Sequence, residues 1–102
     1  MTDIQEARKA LVARVLQGAG EASPFDRQAA FDNHGLAEPL RSLVDGVATH
    51  AWRVTGEDFS AARSSGLSED RIFEIVVCAA VGQATRQYDV ALAALETAMG
   101  KD

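Results

Sequence analysis

The sequence has little of what marks several common protein classes. A single cysteine, Cys78, excludes an internal disulfide, and the two histidines, His34 and His50, lie too far apart in sequence to form a local metal site. Uncharged apolar runs stay shorter than the ~18 residues that span a membrane. We therefore expect no metal, no cofactor and no membrane partner, and the cytoplasm is the default location.

The charge that is present is mostly negative. Ten lysines and arginines against fifteen aspartates and glutamates give a formal net charge of -5 and a pI of about 4.9. Such a chain repels a phosphate backbone, so nucleic acid is not an expected partner. Apolar residues make up 47% and charged residues 25%, a mixture typical of a globular protein, and we predict a single domain over residues 1–102.

Start and stop signals for helices divide the chain into five segments, whereas strand signals are nearly absent. Ser68, for example, precedes two acidic residues and begins the last segment, and Gly100 ends it. The sequence therefore predicts an all-α fold, a bundle of about five helices with one long C-terminal helix. The predicted helices cover residues 4–17, 24–34, 39–52, 56–65 and 69–99.

The last predicted helix is too long for a domain of this size. Residues 69–99 would form a rod of about 46 Å, whereas a 100-residue domain is roughly 35 Å across. Either the helix bends or breaks near Gly82, or its far half projects and is covered by another subunit. Residues 72–81 are apolar almost all the way round apart from Glu74. We therefore expect a homo-oligomer whose interface includes this helix.

A polar cluster interrupts the apolar stripe of this helix. Gln83, Arg86 and Gln87 fall on the same side at helical spacing. A guanidinium and two amides can bind a carboxylate, so these residues form a candidate site for a small carboxylate ligand. The alternative is a buried hydrogen-bond network in which Arg86 pairs with an acidic residue of a neighbouring helix or subunit.

His50 is the candidate catalytic acid or base, because it lies close in sequence to the acidic residues Glu57 and Asp58. His50 and Glu57 form the candidate catalytic pair. The alternatives are a histidine bonded to a backbone carbonyl at a helix end, and two carboxylates that cap the fourth helix and favour its dipole. Cys78 lies well inside a helix beside carboxylates, which favours a buried and sluggish thiol.

Residues 18–23, with the sequence GAGEAS, are superficially similar to a glycine loop that binds phosphate. A nucleotide fingerprint follows a strand and opens a crossover helix, whereas this segment follows an amphipathic helix. We therefore predict a turn between two helices here.

Three consecutive features stand out between residues 40 and 95. They are a short helix that ends at Gly66, the turn GLSED and the long run IFEIVVCAAVGQATRQYDVALAAL. This arrangement of helices and turn residues resembles the carboxymuconolactone decarboxylase superfamily, especially its AhpD-like branch of alkylhydroperoxidases. The resemblance implies an orthogonal helical bundle that assembles through its helices into dimers, trimers or hexamers.

Active AhpD-like proteins carry a Cys-x-x-Cys pair that attacks peroxide and then closes a disulfide. Counting back from Gly66 places Ala51 and Val54 at the two cysteine positions, so the redox dithiol is missing. The resemblance then implies an oligomeric member that is not a peroxidase. The decarboxylase branch does not depend on a dithiol, and there His50 would be the proton donor and Arg86 would bind the substrate carboxylate.

Three functions stay open from the sequence. The first is a non-redox, oligomeric helical protein of the AhpD-like group without an assigned role. The second is a cofactor-independent enzyme of the decarboxylase or lyase type acting on a small carboxylate. The third is a pure protein-interaction module.

Overall fold

A computed structural model describes residues 2–100, and this part of the chain is all-helical. It contains five α-helices and a short 3₁₀ turn, which confirms the predicted all-α class and the long last helix. The orthogonal arrangement implied by the family resemblance stays a prediction. The elements are α1 (Thr2–Gln17), α2 (Pro24–Asp32), α3 (Leu40–His50), the 3₁₀ turn (Ala51–Arg53), α4 (Gly56–Ser64) and α5 (Glu69–Ala98).

The helix ends follow local signals in the sequence. The Ser68 hydroxyl accepts a hydrogen bond from the Arg71 N–H at 3.1 Å and so caps α5. Thr55 and Asp58 form the predicted capping box of α4, in which the Thr55 N–H donates to the Asp58 carboxylate at 2.8 Å. After α4 the chain turns at Gly66, where φ is +99°, a conformation that favours glycine.

α5 is one continuous helix through Gly82, so of the two alternatives for its length a break at this position does not occur. The structure measures 52 × 29 × 20 Å, and the helix accounts for the long dimension. Gly82 has a packing role instead, because a Cβ atom here would overlap the backbone carbonyl of Phe31 at the end of α2. The missing side chain lets α2 and α5 approach closely.

The core lies between the first half of α5 and helices α2, α3 and α4. α1 runs antiparallel to α5, since the Val15 carbonyl accepts from the Cys78 thiol at 3.1 Å and Arg8 pairs with Asp89 at 2.9 Å. One buried cluster consists of Ala22, Ala30, Leu40, Val44, Ile75, Cys78 and Ala79, and a smaller one of Leu43, Ala62 and Ile72.

The far half of α5 is largely uncovered. From residue 87 to residue 98 every side chain is exposed to solvent except Leu92, which is half-buried. Over residues 2–100, no helix combines the length and the apolar character that a membrane crossing needs.

Candidate functional site

Arg86 and Gln83, two members of the predicted carboxylate site, contact each other in the structure. Arg86 donates through Nη2 to the Gln83 side-chain oxygen at 3.0 Å and through Nη1 to the Phe31 carbonyl. That carbonyl lies in the last turn of α2, where backbone acceptors lack helical partners. The arginine therefore caps α2, and its partner is a backbone carbonyl rather than an acidic residue. Gln87, one residue further along α5, is exposed.

His50 is the exposed last residue of α3. Its Nδ1 atom lies 2.8 Å from the Thr49 hydroxyl, and that hydroxyl donates its proton to the Asp45 carbonyl at 2.7 Å. A hydroxyl has one proton, so when Thr49 donates to the Asp45 carbonyl its oxygen accepts from Nδ1, and a neutral imidazole then has Nε2 as its acceptor. The imidazole also meets the Trp52 ring edge-on, with ring centroids 5.5 Å apart.

A small depression of about 160 Å³ surrounds His50. It contains Asp58, whose carboxylate is engaged in the capping box of α4, and it does not contain Glu57. Arg86 and Gln83 also lie outside it. The structure thus brings Gln83 and Arg86 together but leaves His50, Glu57 and the polar cluster of α5 in separate places. The lining residues of the depression are Ser42, Leu43, Gly46, His50, Arg53, Val54 and Asp58.

Cys78 is buried, as predicted. Its side chain is 1% exposed, and the thiol donates to the Val15 carbonyl. Burial raises the pKa of the Cys78 thiol, with Glu74 acting in the same direction and Arg27 opposing it. A reactive thiol needs a lowered pKa and access to solvent, and Cys78 has neither.

A polar cluster joins Arg27 of α2 and Glu74 of α5, a pair that the sequence analysis did not find. Arg27 is 4% exposed, and its Nη2 donates to a Glu74 carboxylate oxygen at 3.0 Å. Its Nη1 donates to the Gly18 carbonyl at 2.6 Å. Glu74 was visible in the sequence as the one charge within the apolar run 72–81, and a buried charge needs a partner.

The segment GAGEAS, predicted as an interhelix turn, does connect α1 to α2. It also binds an anion, which is the carboxylate of Glu74: the backbone N–H groups of Ala22 and Glu21 donate to it at 2.8 and 3.0 Å. A Cβ atom at Gly20 would collide with this carboxylate and with the Arg27 guanidinium. The glycine therefore makes room for an internal ion pair.

These contacts set the ionisation of Glu74. The hydrogen bonds from the Ala22 and Glu21 N–H groups, aided by Arg27, hold the pKa of the Glu74 carboxyl below its ordinary value despite partial burial. Two further contacts tie the same region to the start of α5, because Arg71 pairs with Asp26 at 2.8 Å and the Ser68 hydroxyl donates to Glu21. Arg27 pairs with Glu74 and Arg71 pairs with Asp26, so these contacts stabilise the junction of α2 and α5, and the Nε atoms of both arginines are buried without a hydrogen-bond partner among residues 2–100.

A different kind of surface lies along α5, on the side away from its buried residues. Phe73 is 68% exposed, Leu95 55% and Tyr88 37%, and the apolar residues between them on this side are exposed or half-buried. Seven residues at helical spacing form this row, which we name the α5 seam. They are Phe73, Val77, Ala80, Ala84, Tyr88, Ala91 and Leu95.

An apolar groove of about 480 Å³ opens between α4 and α5 at the Phe73 end of the seam. Its lining is mostly apolar and also includes Arg63 and Glu69. The volume is within the range of ligand pockets. The apolar lining residues are Phe59, Ile72, Phe73 and Val76.

No family model, no curated protein and no solved structure matches the chain significantly. The AhpD-like resemblance therefore rests on the sequence pattern alone and stays a prediction.

Proposed function

We propose that the chain is an AhpD-like, carboxymuconolactone decarboxylase-like helical protein without a redox dithiol, which functions in the cytoplasm as a homo-oligomer. The observation that carries this proposal is the α5 seam. Large apolar side chains such as Phe73 and Leu95 are exposed along one face of the longest helix. Contiguous apolar surface of this kind is typical of protein contacts, because covering it removes apolar area from water.

The state of Cys78 supports the non-redox part of the proposal. Peroxide reduction needs a thiolate that peroxide can reach and a second thiol that resolves the sulfenic acid. The Cys78 thiol is buried with a raised pKa, and the sequence offers no second cysteine. Ala51 and Val54, which occupy the cysteine positions of the resemblance, supply no thiol.

An enzyme acting on a small carboxylate has less support. The two terminal nitrogens of Arg86 are engaged by the Phe31 carbonyl and Gln83, which leaves the guanidinium less able to bind a substrate. His50 lies in a separate depression on α3, so the proton donor and the anion-binding group of that hypothesis do not share a pocket. The pure interaction module, which has no pocket at all, would also use the exposed seam, but for a different partner.

Sedimentation equilibrium tests the proposal directly. We expect a mass that is a multiple of 10.8 kDa at micromolar concentration, together with background consumption of organic hydroperoxides. A single species of monomer mass contradicts the oligomer. Thiol-dependent turnover that disappears in a Cys78→Ala variant contradicts the non-redox assignment.

A further inference from the structure

The intervals between successive seam residues along α5 form a symmetric series. From Phe73 to Leu95 the steps between neighbouring seam residues are 4, 3, 4, 4, 3 and 4, which is symmetric about Ala84. Two repeats of eleven residues also keep such a row nearly straight along an α-helix. A two-fold axis at Ala84 therefore places each seam residue opposite a seam residue of an antiparallel copy.

Side-chain sizes complement each other in this register. Ala80 lies opposite Tyr88 of the other copy, and Val77 lies opposite Ala91, so that a larger side chain meets a smaller one. Parallel pairing in register would instead place each of the three seam alanines opposite the same alanine of the other copy. Two small side chains would then face each other at three positions and leave gaps there. Close packing of large against small residues is what a stable helix contact requires. The seam favours the antiparallel arrangement.

Charge favours the same orientation. The first turn of α5 carries Glu69 and Asp70, and both are exposed. Parallel pairing would bring the acidic turns of two chains together, although each chain already has a net charge of -5. Antiparallel pairing separates them by about 45 Å, the length of the helix, which is several screening lengths at physiological salt.

The groove between α4 and α5 gains an occupant in this register. Leu95 of one copy comes level with Phe73 of the other, and Met99 comes level with Glu69, which also lines the groove. Leu95 is 55% exposed and Met99 63%. Neither side chain is branched at Cβ, so each can extend into an apolar groove. The groove has the apolar lining that these two side chains need.

α1 widens the contact surface. The contacts Arg8 to Asp89 and Cys78 to Val15 place Leu11 level with Ala84, and Leu11 is half exposed. Arg14, one turn further along α1, lines a depression together with Phe73 and Val77, so this edge of α1 lies on the seam side. A face two helices wide supports a larger interface than α5 alone.

The area is sufficient for a dimer. The seam spans about 33 Å along α5, and two helices at a spacing of about 10 Å make the face roughly 20 Å wide. The footprint is therefore roughly 660 Å² on each copy, or about 1,300 Å² in total, which falls within the range of specific interfaces.

We propose that a second copy of this chain covers the α5 seam in an antiparallel pair with its two-fold axis at Ala84, and that Leu95 and Met99 of each copy fill the groove beside Phe73 of the other. This inference rests on the proposed homo-oligomer and gives its geometry. α4, which forms one wall of the groove, thereby becomes part of the interface.

Cysteine cross-linking of the full chain tests the orientation. Ala84→Cys should give a disulfide-linked dimer under mild oxidation, because the two Ala84 positions face each other across the axis. Leu95→Cys alone should stay unlinked, since its two copies lie about 33 Å apart. A mixture of Phe73→Cys and Leu95→Cys chains should link. Wild type, with only the buried Cys78, is the control and should stay unlinked.

A charge in the seam gives a second readout. Ala84→Asp should weaken self-association at least tenfold, because it places two like charges against each other at the axis. Ala93→Asp makes the same substitution at an exposed position of the same helix away from the seam and is the matched control. Circular dichroism verifies that each variant is helical before its mass is measured.

The outcomes separate this inference from the proposed function. Self-linking of Leu95→Cys as efficient as that of Ala84→Cys indicates parallel pairing and overturns the antiparallel geometry. An oligomer whose cysteine variants stay unlinked and whose mass is unaffected by Ala84→Asp overturns the seam as the interface, while the homo-oligomer stands. A monomer in sedimentation overturns both.

Discussion

The buried guanidinium of Arg27 donates to the Glu74 carboxylate across 3.0 Å and thereby joins α2 to α5. The same carboxylate accepts two backbone hydrogen bonds from the turn between α1 and α2. One side chain thus holds three elements together. Replacement of Glu74 should therefore reduce the stability of the fold.

We expect Glu74→Gln to lower the free energy of unfolding by about 3 kcal/mol, because it leaves the Arg27 charge buried without a counter-charge. Urea unfolding followed by circular dichroism measures the loss. Asp89→Asn is the matched control: it removes a carboxylate of the same helix whose ion pair with Arg8 is exposed, and such pairs contribute little. Equal effects of the two substitutions would contradict a structural role for Glu74.

The lowered pKa of Glu74 predicts an acid-sensitive fold. A carboxyl whose pKa is lower in the folded than in the unfolded state contributes stability above the unfolded value, about 4.5, and this contribution is lost as the pH falls through the folded value. The urea midpoint of wild type should therefore drop steeply below about pH 4.5.

The Glu74→Gln variant should show a shallower dependence over the same pH range. Glu38 has a lowered pKa as well, owing to the hydroxyl and N–H of Ser42, so the difference between wild type and variant isolates Glu74. Parallel pH profiles for the two proteins would mean that the Glu74 carboxylate gains nothing on folding.

Gly82→Ala tests the close approach of α2 and α5. Helix propensity alone predicts that alanine stabilises α5 by about 1 kcal/mol, whereas overlap with the Phe31 carbonyl predicts a loss of about 1–3 kcal/mol. We expect the loss, measured as a lower melting temperature. Gly56→Ala is the control, because its new Cβ meets no atom within 4 Å, and it should leave the melting temperature unchanged or slightly higher.

Arg86→Met separates the cap of α2 from a ligand site. Loss of hydrogen bonds from a charged donor should reduce stability by about 1.5–3 kcal/mol. Small carboxylates at millimolar concentration should leave the melting temperature of wild type unchanged. A carboxylate that stabilises wild type but not the variant would instead favour the enzyme hypothesis, with Arg86 as its anion-binding residue.

Thiol labelling tests the burial of Cys78. In native protein the thiol should react with an aromatic disulfide reagent at least a hundredfold more slowly than in urea, because only the opened state exposes it. An Ala93→Cys variant provides an exposed thiol on the same helix, outside the α5 seam, for comparison. Native labelling of Cys78 at the rate of that exposed thiol would show that α1 does not cover it.

Local signals predicted the helices well. Caps such as Ser68 and the pair Thr55 and Asp58 act within one turn, so their effect can be read from neighbouring residues. Burial of Cys78 was also predictable from its position inside an apolar run. The α5 seam was not predicted, because spacing alone does not tell which apolar side of a long helix is left uncovered.

The contacts between distant residues were not predictable in the same way. Arg27 lies on the short helix α2, and nothing near it in sequence indicates a partner 47 positions away. Arg86 donates to a backbone carbonyl, which every residue possesses, so no sequence pattern could single out Phe31. The sequence analysis considered Gly82 as a site where α5 bends or breaks. In the structure, the missing side chain at Gly82 instead allows the backbone of α2 to pack closely against α5.

The turn between α1 and α2 depends on a side chain made much later in synthesis. Glu21 and Ala22 donate to Glu74, which lies 53 and 52 positions further along the chain. A nascent chain that has emerged only through α4 lacks this carboxylate, and Arg27 then has no counter-charge to bury. The hydrogen bonds that fix the turn between α1 and α2 can therefore form only after this part of α5 has been synthesised.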